Sequence, residues 1–211
     1  MPCPLCGTNN TPYFSEDKQR TFFQCAHCAL VFADKESWPG SKQEKAVYDL
    51  HENSLEDEGY NRFLARIVTP LMAQVAPPAT ILDFGCGPAP ALAAQLKTCG
   101  YQVSLYDHFY FPEPGVLHQN FDAIVATEVI EHLHKPLTEL ERLWTLLRPG
   151  GWLALMTQRV KNAEAFSNWQ YKNDPTHLCF FHKQSFRWLA NYLNVSEMFF
   201  EGRDMVFMQK P

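Results

Sequence analysis

No stretch of about eighteen consecutive apolar residues occurs in the chain, so the sequence offers no helix suited to crossing a bilayer. The opening Met1-Pro2-Cys3-Pro4 lacks a basic segment followed by an apolar one, so no secretory leader is expected; the chain reads as cytoplasmic, with no membrane partner. Positive charge is in short supply as well. Eighteen Lys and Arg stand against 23 Asp and Glu, and the net charge of −5 argues against long contacts with nucleic-acid phosphates, leaving room only for a local basic groove. A disulfide framework is equally unexpected. The seven cysteines are odd in number and four of them form two C-x-x-C pairs, the usage of a reducing compartment with a metal site. What the chain does have is apolar mass, 46% of residues with sixteen Phe and five Trp, which excludes disorder. At 211 residues that mass suffices for one substantial domain and a small appendage, not for two full domains.

The appendage is N-terminal. Cys3-Pro4-Leu5-Cys6-Gly7 and Cys25-Ala26-His27-Cys28 are separated by eighteen residues. Thiolates at this spacing in a tight turn face one ion, and two such pairs complete a tetrahedral zinc site. Gly7 suits the turn that curls amides toward the sulfurs, which often needs a positive φ. Tyr13, Phe14, Phe22 and Phe23 between the pairs, and Leu30, Val31 and Phe32 after them, are enough for short strands. Residues 1–35 therefore read as a zinc ribbon in which Cys3, Cys6, Cys25 and Cys28 hold a structural Zn2+; four protein ligands leave no open position for chemistry. Residues 36–59 are rich in charge, carry Pro39, Gly40 and Gly59, and have no sustained apolar period, so they read as a linker. From Tyr60, the residues Phe63, Leu64, Ile67, Val68, Leu71, Met72 and Val75 mark one helical face, which Pro70 is expected to kink or interrupt.

Residues 60–211 form the main domain. Thr80-Ile81-Leu82-Asp83-Phe84 is a short buried-type strand running into Gly85-Cys86-Gly87-Pro88-Ala89-Pro90 and then the helix-forming Ala91-Leu92-Ala93-Ala94-Gln95-Leu96. A strand, a glycine turn and a helix bring a ligand against bare backbone at the carboxyl end of an open sheet. A nicotinamide fingerprint would want glycine where Pro90 stands.

With Asp83, Gly85 and Gly87 in this order, the chain resembles the class I S-adenosylmethionine-dependent methyltransferases, whose first motif is approximately D-x-G-x-G-x-G; Ala89 replaces the last glycine. The resemblance implies an α/β, Rossmann-like sheet, mostly parallel with an antiparallel last strand. It also implies that the loop with Cys86 holds the methionine end of S-adenosylmethionine, and that Asp107, at the end of Gln102-Val103-Ser104-Leu105-Tyr106, grips the ribose hydroxyls. Phe121 to Ala126, Thr127 to Leu133 and Leu147 to Leu153 match the family's fourth strand, the segment after it and the turn into the fifth strand, which adds Thr127 and Glu128 to the cofactor-binding set. Pro136 opens a helix with Leu137, Leu140, Trp144 and Leu147 on its apolar face, and Val195 to Phe200 and Asp204 to Gln209 read as two closing strands. One departure stands out. Only fourteen residues separate Asp107 from Asp122, where the family fits a helix and a third strand, so that edge must be abbreviated; Tyr106, Phe109 and Tyr110 are candidates to stack on the adenine, the alternative being that they are core aromatics.

Glu128, Glu131 and His132 stand at i, i+3 and i+4, where a helical turn would bring them to one side. Forty-five residues after His132, a polar stretch from Tyr171 to Thr176 leads into His177 and an apolar run. The E-x-x-E-H pattern with a distant His resembles the metal site of plant small-RNA 2′-O-methyltransferases and is similar to that of ubiquinone-biosynthesis O-methyltransferases. The resemblance implies that Glu128, Glu131, His132 and His177 hold a second divalent metal; without one, His132 or His177, with Glu131, would do acid/base work. A zinc ribbon ahead of this domain resembles the layout of nucleotide-sugar C-methyltransferases, which carry a further C-terminal domain. The reading is methyl transfer to a small molecule, at oxygen. Its alternatives are an RNA or protein methyltransferase guided by the ribbon and a non-catalytic scaffold.

Overall fold

Continuous apolar runs build the centre of the molecule. The structure, a computed structural model, describes residues 1–50 and 56–211. Strands β1 (Tyr13–Glu16), β2 (Thr21–Gln24) and β3 (Val31–Ala33) form the N-terminal part, and helices α1 (Ser41–Tyr48) and α2 (Glu58–Gln74) follow. The main domain then runs β4 (Thr80–Phe84), α3 (Ala91–Thr98), β5 (Gln102–Tyr106), β6 (Phe121–Thr127), α4 (Pro136–Leu146), β7 (Leu147–Met156), α5 (Ala163–Ser167), β8 (Cys179–Phe180), α6 (Lys183–Tyr192), β9 (Glu197–Glu201) and β10 (Met205–Gln209).

Six strands form one sheet in the order β5-β4-β6-β7-β10-β9. The first four are parallel, and β10 is antiparallel to both of its neighbours, as the α/β Rossmann-like expectation required. Alternation within each buried strand sorts side chains to two faces. Ile81, Val125, Ala154 and Phe207 meet Leu64, Ile67, Leu71, Leu92 and Leu96 of α2 and α3. Leu82, Ile124, Leu153 and Val206 meet Leu140, Leu143, Phe186 and Leu189 of α4 and α6. Both faces are covered by helices, which is why Ile81-Leu82 in β4 and Ala123-Ile124-Val125-Ala126 in β6 are consecutive apolar residues. Among the described residues, no helix is long and apolar enough to cross a membrane.

The edge beyond β5 is abbreviated, as the spacing from Asp107 to Asp122 predicted. In place of a helix and strand, the chain doubles back so that Asp107 and Phe111 exchange both backbone hydrogen bonds at 3.1 Å. A 3-10 turn over Pro114–His118 then leads into β6.

The N-terminal strands do not stand apart. They join β8 in a second sheet of order β1-β2-β3-β8, with Val31 paired to Phe180 and Phe32 to Cys179. Cys3, Leu5, Cys25, Cys28, Leu30 and Phe32 belong to the same apolar cluster as the α4 and α6 face of the main sheet. A segment too small to bury its own residues has borrowed a core.

Two local expectations change. The stretch read as a linker contains α1, and α2 begins at Glu58 because the Asp57 side chain caps it, accepting from the backbone N–H of Gly59 at 2.7 Å and of Tyr60 at 3.0 Å. Residues 51–55 of that stretch lie outside the described residues. Pro70 does not interrupt α2, which continues to Gln74; the burial of Leu64, Ile67, Val68 and Leu71 on one face outweighs the missing N–H.

Candidate active site

Parallel strands end together, and here β4, β5 and β6 end at a cleft of about 810 Å3 lined by Gly85, Cys86, Gly87, Asp107, Thr127 and Glu128 among others. The loop after β4 turns with Gly85 at φ +75° and Gly87 at φ +64°. A Cβ on Gly85 would lie 2.4 Å from the Val129 side chain, so close packing demands glycine there. Around Gly87 nothing lies within 4 Å of an added Cβ; the bare backbone faces open space suited to a ligand.

Asp107 accepts at Oδ2 from the Gly87 N–H at 3.0 Å and at Oδ1 from the Phe109 and Tyr110 N–H groups at 2.8 and 3.1 Å. It ties the glycine loop to the abbreviated edge while lining the cleft. Asp83 lies beneath the loop, 2% exposed and absent from the cleft wall. Burial lifts its carboxyl to about 7 against a hydrogen bond from the Ala93 N–H in the first turn of α3, and its Oδ2 has no partner. Its place is that of a support for the turn. Tyr106, Phe109 and Tyr110 all line the cleft; Tyr106 stacks on Phe84 with ring centroids 5.4 Å apart.

At the other end of the cleft, the segment after β6 does not form the helical turn expected of E-x-x-E-H. Glu128 takes a left-handed φ of 54°, its N–H bonded to the Met156 carbonyl at 2.8 Å, and only Ile130–His132 curl into a 3-10 turn. The consequence is selective. Donor atoms of Glu131, His132 and His177 lie within 4.8 Å of one another, whereas Glu128 flanks this group from the same cleft without joining it.

Each member of the trio is oriented. His132 Nδ1 donates to the Thr176 carbonyl at 3.0 Å and His177 Nδ1 to the Tyr171 carbonyl at 2.6 Å. A carbonyl can only accept, so both neutral rings carry their proton on Nδ1 and keep a lone pair on Nε2. The two rings meet edge to face at 4.6 Å. Glu131 is fully buried; Tyr171 donates its hydroxyl to Oε1, and Oε2 has no partner. Glu128 Oε1 is also without one. Burial, and after it the nearby Glu131 carboxylate, holds the Glu128 carboxyl well above the ordinary range, and desolvation lowers the His132 imidazole. Glu131 and the two imidazoles form a donor set for a cation, with Glu128 alongside and Asp174 Oδ2 3.8 Å from His177 Nε2.

Sequence reasoning missed part of this wall. Helix α1 lies across the cleft: the Tyr48 ring meets His132 at 5.3 Å and Phe109 at 5.8 Å, and Glu44 Oε1 meets His134 Nε2 at 2.5 Å. The charged composition that suggested a linker hid a short helix whose aromatic residue points inward. Tyr171 carried no signal beyond its place in the polar stretch before His177.

The four N-terminal cysteines also converge, with Cys3 and Cys28 sulfurs 3.6 Å apart and Cys6 and Cys25 sulfurs 3.4 Å apart. Such separations are close to the roughly 3.8 Å edge of a zinc tetrahedron with bonds of about 2.3 Å. Backbone N–H groups of His27 and Cys28 point at Cys25 Sγ, each at 3.3 Å. The hydrogen bond between Cys3 and Cys28 pushes the Cys28 thiol well up and lowers the Cys3 thiol to about 5. Gly7 takes φ +75°, as expected of its turn.

No curated protein matches the sequence. Among solved structures, the chain is similar to a Burkholderia thailandensis 1,6-didemethyltoxoflavin-N1-methyltransferase with 18% identity and a TM-score of 0.56, covering 94% of this chain and 98% of that one. An S-adenosylmethionine-dependent methyltransferase from Archaeoglobus fulgidus is 16% identical with a TM-score of 0.58, covering 79% of this chain and 99% of that one. DesVI from Streptomyces venezuelae is 15% identical with a TM-score of 0.56, covering 80% and 98% respectively. At these identities the likeness is one of fold. The model of the family described as a methyltransferase domain matches residues 57–194, well over half of the sequence. With the fold of S-adenosylmethionine-dependent enzymes and this match, the chain belongs to the methyltransferase-domain family.

Proposed function

We propose that the protein transfers the methyl group of S-adenosylmethionine to an oxygen of a small-molecule acceptor, with Glu131, His132 and His177 holding a divalent ion beside it. The observation that carries the ion is the buried, partnerless Glu131 Oε2 next to two imidazoles whose protons are turned away to carbonyls. A buried carboxylate oxygen without a partner is costly unless a proton or cation meets it. Glu128 is a fourth candidate ligand at the rim of the same group.

S-adenosylmethionine, when bound, supplies a methyl group already activated by the sulfonium. In this reading Gly85, Cys86, Gly87 and Thr127 shape its methionine end, Asp107 offers acceptor oxygens to the ribose, and Asp83 supports the turn from below. A divalent ion, when bound, would acidify a hydroxyl. The protein's own work is then placement: Tyr171 fixes Glu131, the Thr176 and Tyr171 carbonyls fix the two rings, and Tyr48 on α1 shields them from water. The cleft volume of about 810 Å3 suits a nucleoside and a small acceptor together. The Burkholderia structure holds 1,6-didemethyltoxoflavin together with S-adenosylhomocysteine, in line with that scale. Cys3, Cys6, Cys25 and Cys28 would hold a structural Zn2+.

Metal analysis of the purified protein should give one tightly held zinc, and calorimetry should give one further site for Mn2+. In a screen of hydroxylated metabolites with S-adenosylmethionine, turnover should vanish after chelation and return with a divalent ion. Turnover untouched by chelation would overturn the ion and leave His132 or His177 as a general base.

A further inference from the structure

Arg20 closes the turn between β1 and β2, yet it is only 7% exposed. Its guanidinium points away from the cysteines and into the loop that carries His177. Nη1 donates to the Asp174 and His177 carbonyls at 3.2 and 3.1 Å, and Nη2 donates to the Lys172 carbonyl. Asp17, two of whose bonds are accepted from the Gln19 and Arg20 N–H groups at 2.9 Å, sits 3.8 Å from Arg20 Nε and 3.6 Å from the buried Lys172 Nζ. The ribbon turn thus delivers one carboxylate and one cation to the underside of residues 172–177.

The loop needs such a partner. Beyond a short 3-10 turn over Gln170–Asn173 it has no regular structure, so its carbonyls have no ladder to join. A planar guanidinium with five donors can serve three carbonyls at once, which the single ammonium of lysine cannot do in the same geometry. Burying such a cation costs free energy unless its donors are met, and here they are met by the backbone that aims His177. A second connection runs alongside. Ala33 N–H donates to the Leu178 carbonyl at 2.9 Å, and Leu178 N–H donates to the Glu131 carbonyl at 2.8 Å, so one residue joins the ribbon strand to the backbone of the candidate ligand Glu131.

We propose that Arg20 is a positioning residue for the candidate site, gathering the carbonyls of Lys172, Asp174 and His177 so that the His177 ring stays beside Glu131 and His132. The ribbon is therefore a built-in part of the site. The inference rests on the proposed role of His177 and deepens it.

The full-length protein with 15N-labelled histidine provides the test. Three readouts are compared for wild type, Arg20→Ala and Arg20→Lys: the His177 ring signals, Mn2+ affinity, and S-adenosylhomocysteine affinity by calorimetry. In wild type, His177 should show the pattern of a single Nδ1-protonated tautomer. Arg20→Ala should average that pattern and weaken Mn2+ by about tenfold or more, with S-adenosylhomocysteine affinity held within about twofold. Millimolar guanidinium should restore part of both, and Arg20→Lys should fall between. A folded Arg20→Ala protein that keeps the tautomer pattern and Mn2+ affinity overturns the proposal, as does a parallel loss of S-adenosylhomocysteine binding. If Arg20→Ala does not fold, Arg20→Lys is judged on the same readouts. Failure of wild type to bind Mn2+ removes the ion of the proposed function, and the His177 signals still decide the role of Arg20.

Discussion

The two ends of the cleft are built by opposite means. At the cofactor end, a run from Asp83 to Asp107 supplies nearly everything, and what faces the cleft is largely backbone: two left-handed glycines and the amides that Asp107 collects. At the other end, what faces the cleft is side chain, drawn from Tyr48, His132, Tyr171 and His177, with Glu131 buried behind them and Arg20 bracing the group from outside. A backbone cradle needs only a strand and a turn, so it is local. A side-chain cluster needs several distant segments in place together, so it depends on the second sheet. Damage to the two ends should accordingly separate into loss of cofactor binding and loss of chemistry.

The largest expected effect lies at the side-chain end. Glu131→Gln keeps shape and volume but removes the charge facing the two imidazoles. Mn2+ affinity should drop at least about a hundredfold, and turnover on an acceptor found by the screen by about 10²–10³-fold. Calorimetry with S-adenosylhomocysteine should stay within about twofold, and thermal stability of the metal-free protein should change little, because the amide keeps the shape and an acceptor for the Tyr171 hydroxyl. A parallel collapse of S-adenosylhomocysteine binding would break the division between the two ends.

That division also explains what the sequence made legible. Asp83, Gly85, Gly87 and Asp107 announced a nucleoside cradle because the strand, turn and helix that create it are adjacent in the chain. The match of Phe121 to Ala126 and of Leu147 to Leu153 to the family's strands, and the shortened edge after Asp107, were legible for the same reason. At the other end, the E-x-x-E-H spacing suggested a helical turn, but the left-handed backbone at Glu128 depends on its bond to the Met156 carbonyl across the sheet, which no local pattern encodes. The inward Tyr48 was hidden in a charged segment. Arg20 was invisible: its partners lie more than 150 positions away, and a lone arginine in a turn looks like any solvated side chain.

A pair of glycine substitutions sharpens the cofactor end with a smaller effect. Gly85→Ala forces a left-handed alanine, which costs about 1–2 kcal/mol. It also drives a methyl group to 2.4 Å from the Val129 side chain, overpacking that adds about 1–3 kcal/mol. Its melting temperature should fall by several degrees. Gly87→Ala has the same backbone strain but meets nothing within 4 Å. It should lose only the strain share, melting a few degrees below wild type and above Gly85→Ala, yet bind S-adenosylhomocysteine about tenfold more weakly, because its methyl occupies ligand space. Equal melting losses with unchanged binding would mean that the open space beside Gly87 is not where the cofactor lies.

The smallest effect belongs to the ribbon, where two turns of similar design differ in one residue. Gly7 and Ala29 each close a C-x-x-C turn, their N–H groups donating at 2.9 Å to the carbonyls of Cys3 and Cys25, with φ of +75° and +58°. Ala29→Gly should relieve roughly 1 kcal/mol or more of left-handed strain, offset by about 0.5–1 kcal/mol of added unfolded-chain freedom. The net gain is a rise of about 1–3 °C in melting temperature, measured on the zinc-loaded protein. Gly7→Ala should move it the other way by a similar amount. Neither change touches Arg20 or the cleft, so Mn2+ and S-adenosylhomocysteine affinities should hold. If Ala29→Gly lowered Mn2+ affinity instead, loosening one cysteine turn would have reached His177 through the ribbon strands, and the bracing by Arg20 would be softer than its three carbonyl bonds imply.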